Sequence, residues 1–245
     1  MEQLLGGPAM ERLHGAQITV VGLGAVGGHV VEGLVRAGVG QLRLVDFDIL
    51  QPSNLNRQLL ALADTIGRPK AEVARERVLA INPECRVEAL QLFAGADTLD
   101  QLLTPSPDLL IDAIDALNPK VQLLHGAYTR GVKTLSSMGA ALRTDPAQIR
   151  TGDLFDSQGC PLAKRVRKFL RRQQVGRGIH CVYSTEPVRF VYDAPEERDT
   201  ALPFAGRGRP RCSLGSLPTL TGIFGLILAN LAILHVAGVR ELDGA

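Results

Sequence analysis

Gly22, Gly24 and Gly27 come directly after a β-type run, Gln17–Val21, and open a segment of helical pattern that continues to about Ala37. A second β-type run, Gln41–Val45, comes next and ends at Asp46. Strand, glycine turn, helix and strand in about thirty residues form a βαβ unit, with parallel strands and a right-handed crossover. Glycines at this spacing let backbone approach a phosphate, and the helix start supplies free N–H groups and partial positive charge. Asp46 lies 19 residues after Gly27, where a carboxylate accepts from both hydroxyls of an adenosine ribose. These features alone bind a nucleotide or a dinucleotide, so an NAD-type module satisfies them as well as an ATP-using one.

The alternation continues downstream. Arg68–Ala80 has helical spacing, Arg86–Leu90 is extended, and Asp108–Ala113 reads as a buried parallel strand. Lys120–Arg130 fits a helix and Val132–Leu135 a strand. The series predicts an α/β fold with a doubly wound, mostly parallel sheet. Beyond about Ala140 the pattern loosens into an elaborated C-terminal third. Short strands are expected at Gln148–Gly152, Cys181–Thr185 and Val188–Tyr192, around a basic amphipathic helix at Pro161–Arg172. Glu196–Arg211 reads as a surface loop, followed by a last apolar helix that Pro218 suits at its first turn.

A chain of 245 residues with 45% hydrophobic and 21% charged residues has the size and composition of one folded unit. The expected arrangement is a single domain over 1–245, with a nucleotide-binding part at about 15–140 and a substrate-binding and dimerisation part at about 141–245. Net charge is only +2, so any polyanion must be met by local clusters. One joins Lys164, Arg165, Arg167, Lys168, Arg171, Arg172 and Arg177; another joins Arg207, Arg209 and Arg211. Cys85, Cys160, Cys181 and Cys212 form no C-x-x-C pair, which argues for a reduced, cytoplasmic setting without structural zinc. Cys181 and Cys212 are read as buried structural thiols before nucleophiles. No signal peptide is expected. Residues 213–239 carry no formal charge, long enough to span a bilayer, but Thr219, Thr221, Asn230 and His235 favour a core or dimer-interface helix.

The residues after Asp46 separate triphosphate from dinucleotide chemistry. Asp48, Ser53, Asn54, Arg57 and Gln58 leave the strand at the sheet's carboxyl edge, and Lys70 opens the next helix. A nicotinamide cofactor has no need of so many groups. A triphosphate attacked at its α-phosphorus does, because charge builds on the bridging oxygen and on departing pyrophosphate. Arg57 and Lys70 suit those oxygens, and Asp115 suits an accompanying magnesium ion.

The ordered set GLGAVG (Gly22–Gly27), VDFD (ending at Asp48), SNLNRQ (Ser53–Gln58), GRPKA (Gly67–Ala71), INP (Ile81–Pro83) and DAID (Asp112–Asp115) resembles the adenylation domain of the ThiF, MoeB and ubiquitin-activating superfamily. The second half, with Met138–Ile149, Gly152–Leu154, Cys160–Leu170 and Cys181–Glu186, most resembles the tRNA threonylcarbamoyladenosine dehydratase family (TcdA/CsdL) within it. The resemblance implies a ThiF-type, Rossmann-like fold using ATP and Mg2+. By motif, Gly22, Gly24, Ala25 and Gly27 would cradle phosphate and Asp46 would hold ribose. Asn54, Arg57 and Lys70 would hold the phosphates, and Asp115 would hold metal, with Arg57, Lys70 and Asp115 as the catalytic set. The implied reaction adenylates the threonyl carboxylate of threonylcarbamoyladenosine in tRNA, which then cyclises with loss of water. Activation of the C-terminal glycine of a ubiquitin-like or sulfur-carrier protein is the alternative within the superfamily, and an inactive or NAD-type nucleotide module the alternative outside it.

The expected polynucleotide partner is thus tRNA, not DNA, with Arg165, Arg167, Lys168, Arg171 and Arg172 tracking its phosphates. A homodimer and a sulfur-relay or carrier protein are further implied partners. Two positions depart from the family pattern. Its N-terminal helix carries an arginine that reaches ATP, where this chain has Gln3 or Leu4, and Ala25 replaces a glycine, narrowing the phosphate approach.

Overall fold

Apolar β-branched runs flanked by glycine become strands buried on both faces, which requires helices on each side of the sheet. The computed structural model describes residues 1–188 and 214–242. Two short helices, α1 (Glu2–Leu5) and α2 (Gly7–Gly15), precede β1 (Gln17–Val21), α3 (Gly27–Arg36) and β2 (Gln41–Val45). Then come α4 (Lys70–Ile81), β3 (Arg86–Leu90), α5 (Leu99–Leu103), β4 (Leu109–Asp112), α6 (Leu117–Thr129) and β5 (Thr134–Ser137). The last third holds β6 (Ile149–Asp153), α7 (Pro161–Arg172), β7 (Ile179–Ser184) and α8 (Pro218–Val236).

The strands form one sheet in the order β3-β2-β1-β4-β5-β7-β6, parallel except that β6 runs antiparallel to β7. The chain winds outward from β1 through β2 to β3, then returns to β4 on the other side of β1, so the topological switch point lies between β1 and β4. Register aligns the strand ends there: Val21 pairs with Val45 and with Asp112, and Asp112 with Ser136. Gly22, Asp46 and Ala113 therefore leave the sheet at one edge, where open α/β sheets bind ligands.

Alternation divides the core. Ile18 and Val20 of β1 and Leu42 and Leu44 of β2 pack with α2, α3, α4 and α8, while Val21, Val45 and Leu110 pack with α5 and α6. A third cluster joins α7 to α6 and β7 through Val166, Leu170, Leu124 and Cys181. Helix α3 stops at Gly38, whose φ of 86° is readily adopted only by glycine, and Val39 N–H closes back on Leu34 C=O at 3.2 Å.

The doubly wound expectation holds, with differences at the margins. Strand β5 lies two residues later than Val132–Leu135 because Gly131, at φ 67°, still belongs to the turn after α6. Helix α7 has the expected bounds, and α8 begins at Pro218. Helices α1, α2 and α5 carry too little periodicity to be read from sequence. The expected strand Val188–Tyr192 falls outside the described residues after Val188. The loop Glu196–Arg211, with Arg207, Arg209, Arg211 and Cys212, also lies outside them.

Helix α8 is long and apolar enough to cross a membrane by length and composition, but here its inner face is core. Leu220, Phe224, Leu228 and Leu231 are buried, and each such side chain contributes about 1.5–3 kcal/mol relative to exposure. A Cβ on Gly33 of α3 would lie 2.6 Å from Ala229 Cβ, and one on Gly225 would lie 2.4 Å from Val26 O. The small residues set how closely α3 and α8 approach.

Candidate active site

The glycines of the first turn serve different ends. Gly22 has φ 92°, and a Cβ there would fall 2.8 Å from the Ala113 carbonyl. A Cβ on Gly27 would fall 1.8 Å from Gly22 O, so the turn and helix cannot form with any larger residue. Gly24 differs: its Cβ would have as nearest neighbour only Gln58 Nε2, at 3.8 Å. The protein itself does not demand glycine at 24, and the space beside it suits an incoming group. Ala25 is half-buried in the same turn. Helix α3 starts without a side-chain cap; Gly28 and His29 N–H already donate to Gly24 O and Val26 O at 3.0 and 3.1 Å, which leaves the N–H groups of the turn ahead of Gly28 for an anion.

Asp46 sits at the end of β2 with its carboxylate already oriented. Leu23 N–H donates to Oδ2 at 2.6 Å and Asp48 N–H to Oδ1 at 2.9 Å, so the carboxylate bridges the glycine turn and the next loop. Burial pushes its carboxyl above the ordinary aspartate range, opposed by the Lys70 ammonium and by those two N–H groups. Ribose hydroxyls need the ionised form as acceptor. Protonation therefore removes a binding partner, and nucleoside affinity is lost as pH falls through the raised value. Adenosine, which carries no titrating phosphate, should bind progressively more weakly as pH falls, with the loss beginning above the ordinary aspartate value of about 3.9. Calorimetry on the wild type and on Asp46→Asn checks this: the variant should bind weakly with no such slope, and a flat wild-type profile would contradict the role.

The segment after β2 folds back on itself. Ile49 bridges Pro69, Leu50 N–H donates to Arg68 O at 2.9 Å and Lys70 N–H to Asp48 O at 3.0 Å. This short pairing pins Lys70 Nζ 3.1 Å from Asp48 Oδ2. Lys70 is 5% exposed, although it opens α4. Asn54 is buried, and its Oδ1 accepts from Gln51 N–H at 3.2 Å. Gln58 is buried too, with an Oε1 that has no hydrogen-bond partner. An orphaned acceptor beside the open space at Gly24 marks where a donor is missing. Arg57 is half-exposed, and its Nη1 is held locally by Ser53 O and Asn56 Oδ1, each at 2.9 Å. Ser53 is exposed, and its backbone carbonyl is the part that holds Arg57.

Asp115 is exposed in the turn between β4 and α6. Beneath that turn lies a network that the sequence motifs do not announce. Lys120 and Asp112 are fully buried, with Nζ 2.5 Å from Oδ2; Ser136 Oγ donates to the same oxygen at 2.6 Å, and Lys120 also donates to Ser137 O at 2.9 Å. Asp112 Oδ1 accepts from Ile114 N–H at 3.0 Å, which fixes the turn leading to Asp115. The available signal was Lys120 sharing a helical stripe with Leu123, Leu124 and Ala127, all buried, where a cation needs a buried anion.

The basic helix α7 stands apart from this cleft, packed on α6 and on the 3-10 turn Leu154–Asp156. Arg165, Lys168, Arg171 and Arg172 are exposed, with Arg171 over Phe155 at 5.4 Å and Arg172 over Phe169 at 5.7 Å. Arg167 instead turns inward onto Ser157 Oγ and Leu154 O, because its position flanks the buried stripe of Ala163, Val166 and Leu170. Cys181 is fully buried inside β7, and burial pushes its thiol up, away from the thiolate a nucleophile needs.

A doubly wound sheet whose switch point carries a glycine turn, an uncapped helix start and an acidic strand end defines a nucleotide-binding α/β protein. The chain belongs to the ThiF family, whose model matches residues 1–244. The tRNA threonylcarbamoyladenosine dehydratase of Bacillus subtilis is 38% identical over 197 residues, covering 80% of this chain and 78% of that protein. Crystal structures of the Escherichia coli tRNA N6-threonylcarbamoyladenosine dehydratase, in complex with AMP and with ATP, match with TM-scores of 0.84 and 0.83. Each is 32% identical, covering 97% of this chain and 92% of that one.

Proposed function

We propose that the chain is an ATP-dependent tRNA dehydratase that adenylates the threonyl carboxylate of threonylcarbamoyladenosine and lets the product cyclise. The carrying observation is the full-length likeness to dehydratases seen with AMP and ATP, joined to a cleft with the groups that this chemistry needs. An ATP fits the residues present: Gly24 leaves room, Gln58 Oε1 lacks a donor, and α3 opens uncapped.

In this reading Asp46 holds the ribose and the turn from Gly22 to Gly27, with Ala25, meets the phosphates. Asp48 anchors Lys70 through their ion pair, while Ser53 and Gln58 shape the wall around Asn54. Asn54, Arg57 and Lys70 favour charge developing on the departing pyrophosphate, and stabilising that charge only in the transition state is what accelerates the step. Arg57 must exchange its Ser53 and Asn56 partners for phosphate oxygens. Asp115 is the residue suited to magnesium, which would neutralise phosphate charge when bound. Among the described residues no group of three or more His, Cys, Asp or Glu could hold a metal, and magnesium held by one or two carboxylates plus substrate phosphates needs none.

A carboxylate oxygen attacks the α-phosphorus, and the bond to the pyrophosphate oxygen breaks. A ureido atom then attacks the acyl carbon, the carbon–oxygen bond to AMP breaks, and the attacking group loses its proton. The net change is loss of water from the nucleoside.

The reading extends to organisation. Residues 1–245 act as one adenylation unit, with nucleotide binding at about 15–140 and substrate binding and dimerisation at about 141–245. The setting is cytoplasmic and the assembly a homodimer, with a sulfur-relay or carrier protein as a further partner. The exposed cations Arg165, Lys168, Arg171 and Arg172 meet tRNA phosphates and position the substrate, while the modified base gives specificity. Pyrophosphate release should be stimulated by tRNA bearing threonylcarbamoyladenosine and not by the unmodified transcript. Stimulation instead by a protein ending in Gly-Gly would overturn this reading.

A further inference from the structure

Arg143 is among the largest fully buried side chains, at 2% exposure, yet its Nε and Nη1 have no hydrogen-bond partner. A buried guanidinium with nitrogens left unpaired opposes folding strongly, so its retention calls for an anion that the described residues do not supply. Glu186, the carboxylate that feels the Arg143 charge, does not supply it. The Asp145 and Thr144 N–H groups, and least of all the Arg143 charge, hold Glu186 in its ionised form, and its oxygens are committed to Thr144 N–H and Thr144 Oγ1, each at 2.9 Å, and to Asp145 N–H at 3.1 Å. Glu186 thus clamps the backbone that carries Arg143, and among the described residues Nε and Nη1 of the guanidinium stay unmet.

That backbone is fixed on its other side as well. Leu142 has φ 61°, a left-handed conformation that a leucine rarely adopts, and its N–H donates to Gly215 O at 2.9 Å. Strained, pinned backbone around an unsatisfied buried cation is what a preformed anion pocket requires. Arg143 lies toward the catalytic edge of the sheet. Arg143 comes after β5 and Glu186 after β7, strands that run parallel to each other and to β4, which delivers Asp115.

We propose that Arg143 is the subsite for the substrate's own carboxylate, receiving the threonyl anion at the edge where ATP is bound. This rests on the dehydratase reading and adds the residue that reads the reacting group. Phosphates share the same oxyanion chemistry, but the other cations suit them better. Lys70 and the start of α3 serve the nucleotide, and exposed cations on α7 serve a polynucleotide backbone. A buried guanidinium suits a carboxylate carried on an extruded base, which can enter a pocket and take charge-assisted hydrogen bonds there. The guanidinium accepts no proton. It holds the carboxylate in place and leaves an oxygen lone pair for the phosphorus.

Arg143→Met tests this with three ligands and one melt. The variant should bind ATP as the wild type does, and without ligand it should melt at the same temperature or higher, because an unmet buried charge is gone. The wild type should prefer tRNA bearing threonylcarbamoyladenosine over the unmodified transcript, and the variant should lose about ten- to a hundredfold of that preference. Arg143→Lys should recover part of it, keeping the charge without the planar fork. Equal weakening of both tRNAs would overturn the proposal in favour of a backbone phosphate, and weakened ATP binding in favour of a nucleotide phosphate. A lower melting temperature with preference intact would make Arg143 structural. If the wild type shows neither tRNA preference nor modified-tRNA-stimulated pyrophosphate release, the dehydratase reading itself fails; if it shows both and Arg143→Met changes neither, only the Arg143 proposal fails.

Discussion

Lys70→Ala should lower modified-tRNA-dependent pyrophosphate release by about two to three orders of magnitude, the usual effect of removing one transition-state charge partner. Its fold should survive. The side chain is buried, but its partner Asp48 has a side chain 39% exposed, so water can solvate the carboxylate once the lysine is gone. Because Lys70 is itself buried and also offsets the buried Asp46 carboxylate, its loss should cost about 1–3 kcal/mol, which in a chain of this size lowers the melting temperature by about 2–12 °C. Lys70 is held by backbone pairing of 48–50 with 67–70, so its ammonium is placed before nucleotide arrives. Single-turnover pyrophosphate release beside a thermal melt separates the two effects. A variant of unchanged activity would remove Lys70 from the catalytic set.

Gly27→Ala is expected to have the largest structural effect of any single methyl added at the site. The new carbon would meet the Gly22 carbonyl oxygen at 1.8 Å and its carbon at 2.8 Å. Both are backbone, so no rotamer change relieves the clash, and the start of α3 must move. About 3 kcal/mol of stability should be lost, the upper end for an overpacked interior, lowering the melting temperature by about 10 °C. Gly24→Ala is the control. Its methyl meets only Gln58 Nε2 at 3.8 Å, so the melt should not change while ATP affinity falls about tenfold through crowding of the phosphate. If Gly24→Ala proved the destabilising variant and Gly27→Ala the silent one, the turn could not be packed as these distances require.

The glycine turn, Asp46 and the alternating strands were legible in the sequence because each depends on local order: a turn that only glycine allows, and strands buried on both faces. Helix α7 was legible to the residue because a strong apolar stripe of Ala163, Val166 and Leu170 is bounded by Pro161 and a basic end. The inward turn of Arg167 on that helix was not legible, since a cation at the stripe's border can face either way and only the Leu154–Ser157 turn decides it. The Asp112–Lys120–Ser136 network and the burial of Arg143 arise between segments distant in sequence. Such burial has no local signature, because nothing near Arg143 in the chain distinguishes it from a surface arginine.

The central claim is that a substrate carboxylate captures AMP before it leaves as an acyl group. The most direct measurement is the fate of oxygen-18 placed in the threonyl carboxylate of the modified tRNA. After one turnover with ATP, mass spectrometry should find one labelled oxygen in AMP, pyrophosphate unlabelled and the nucleoside lighter by one water. Unlabelled AMP, or label in inorganic phosphate with ADP as the product, would contradict the account.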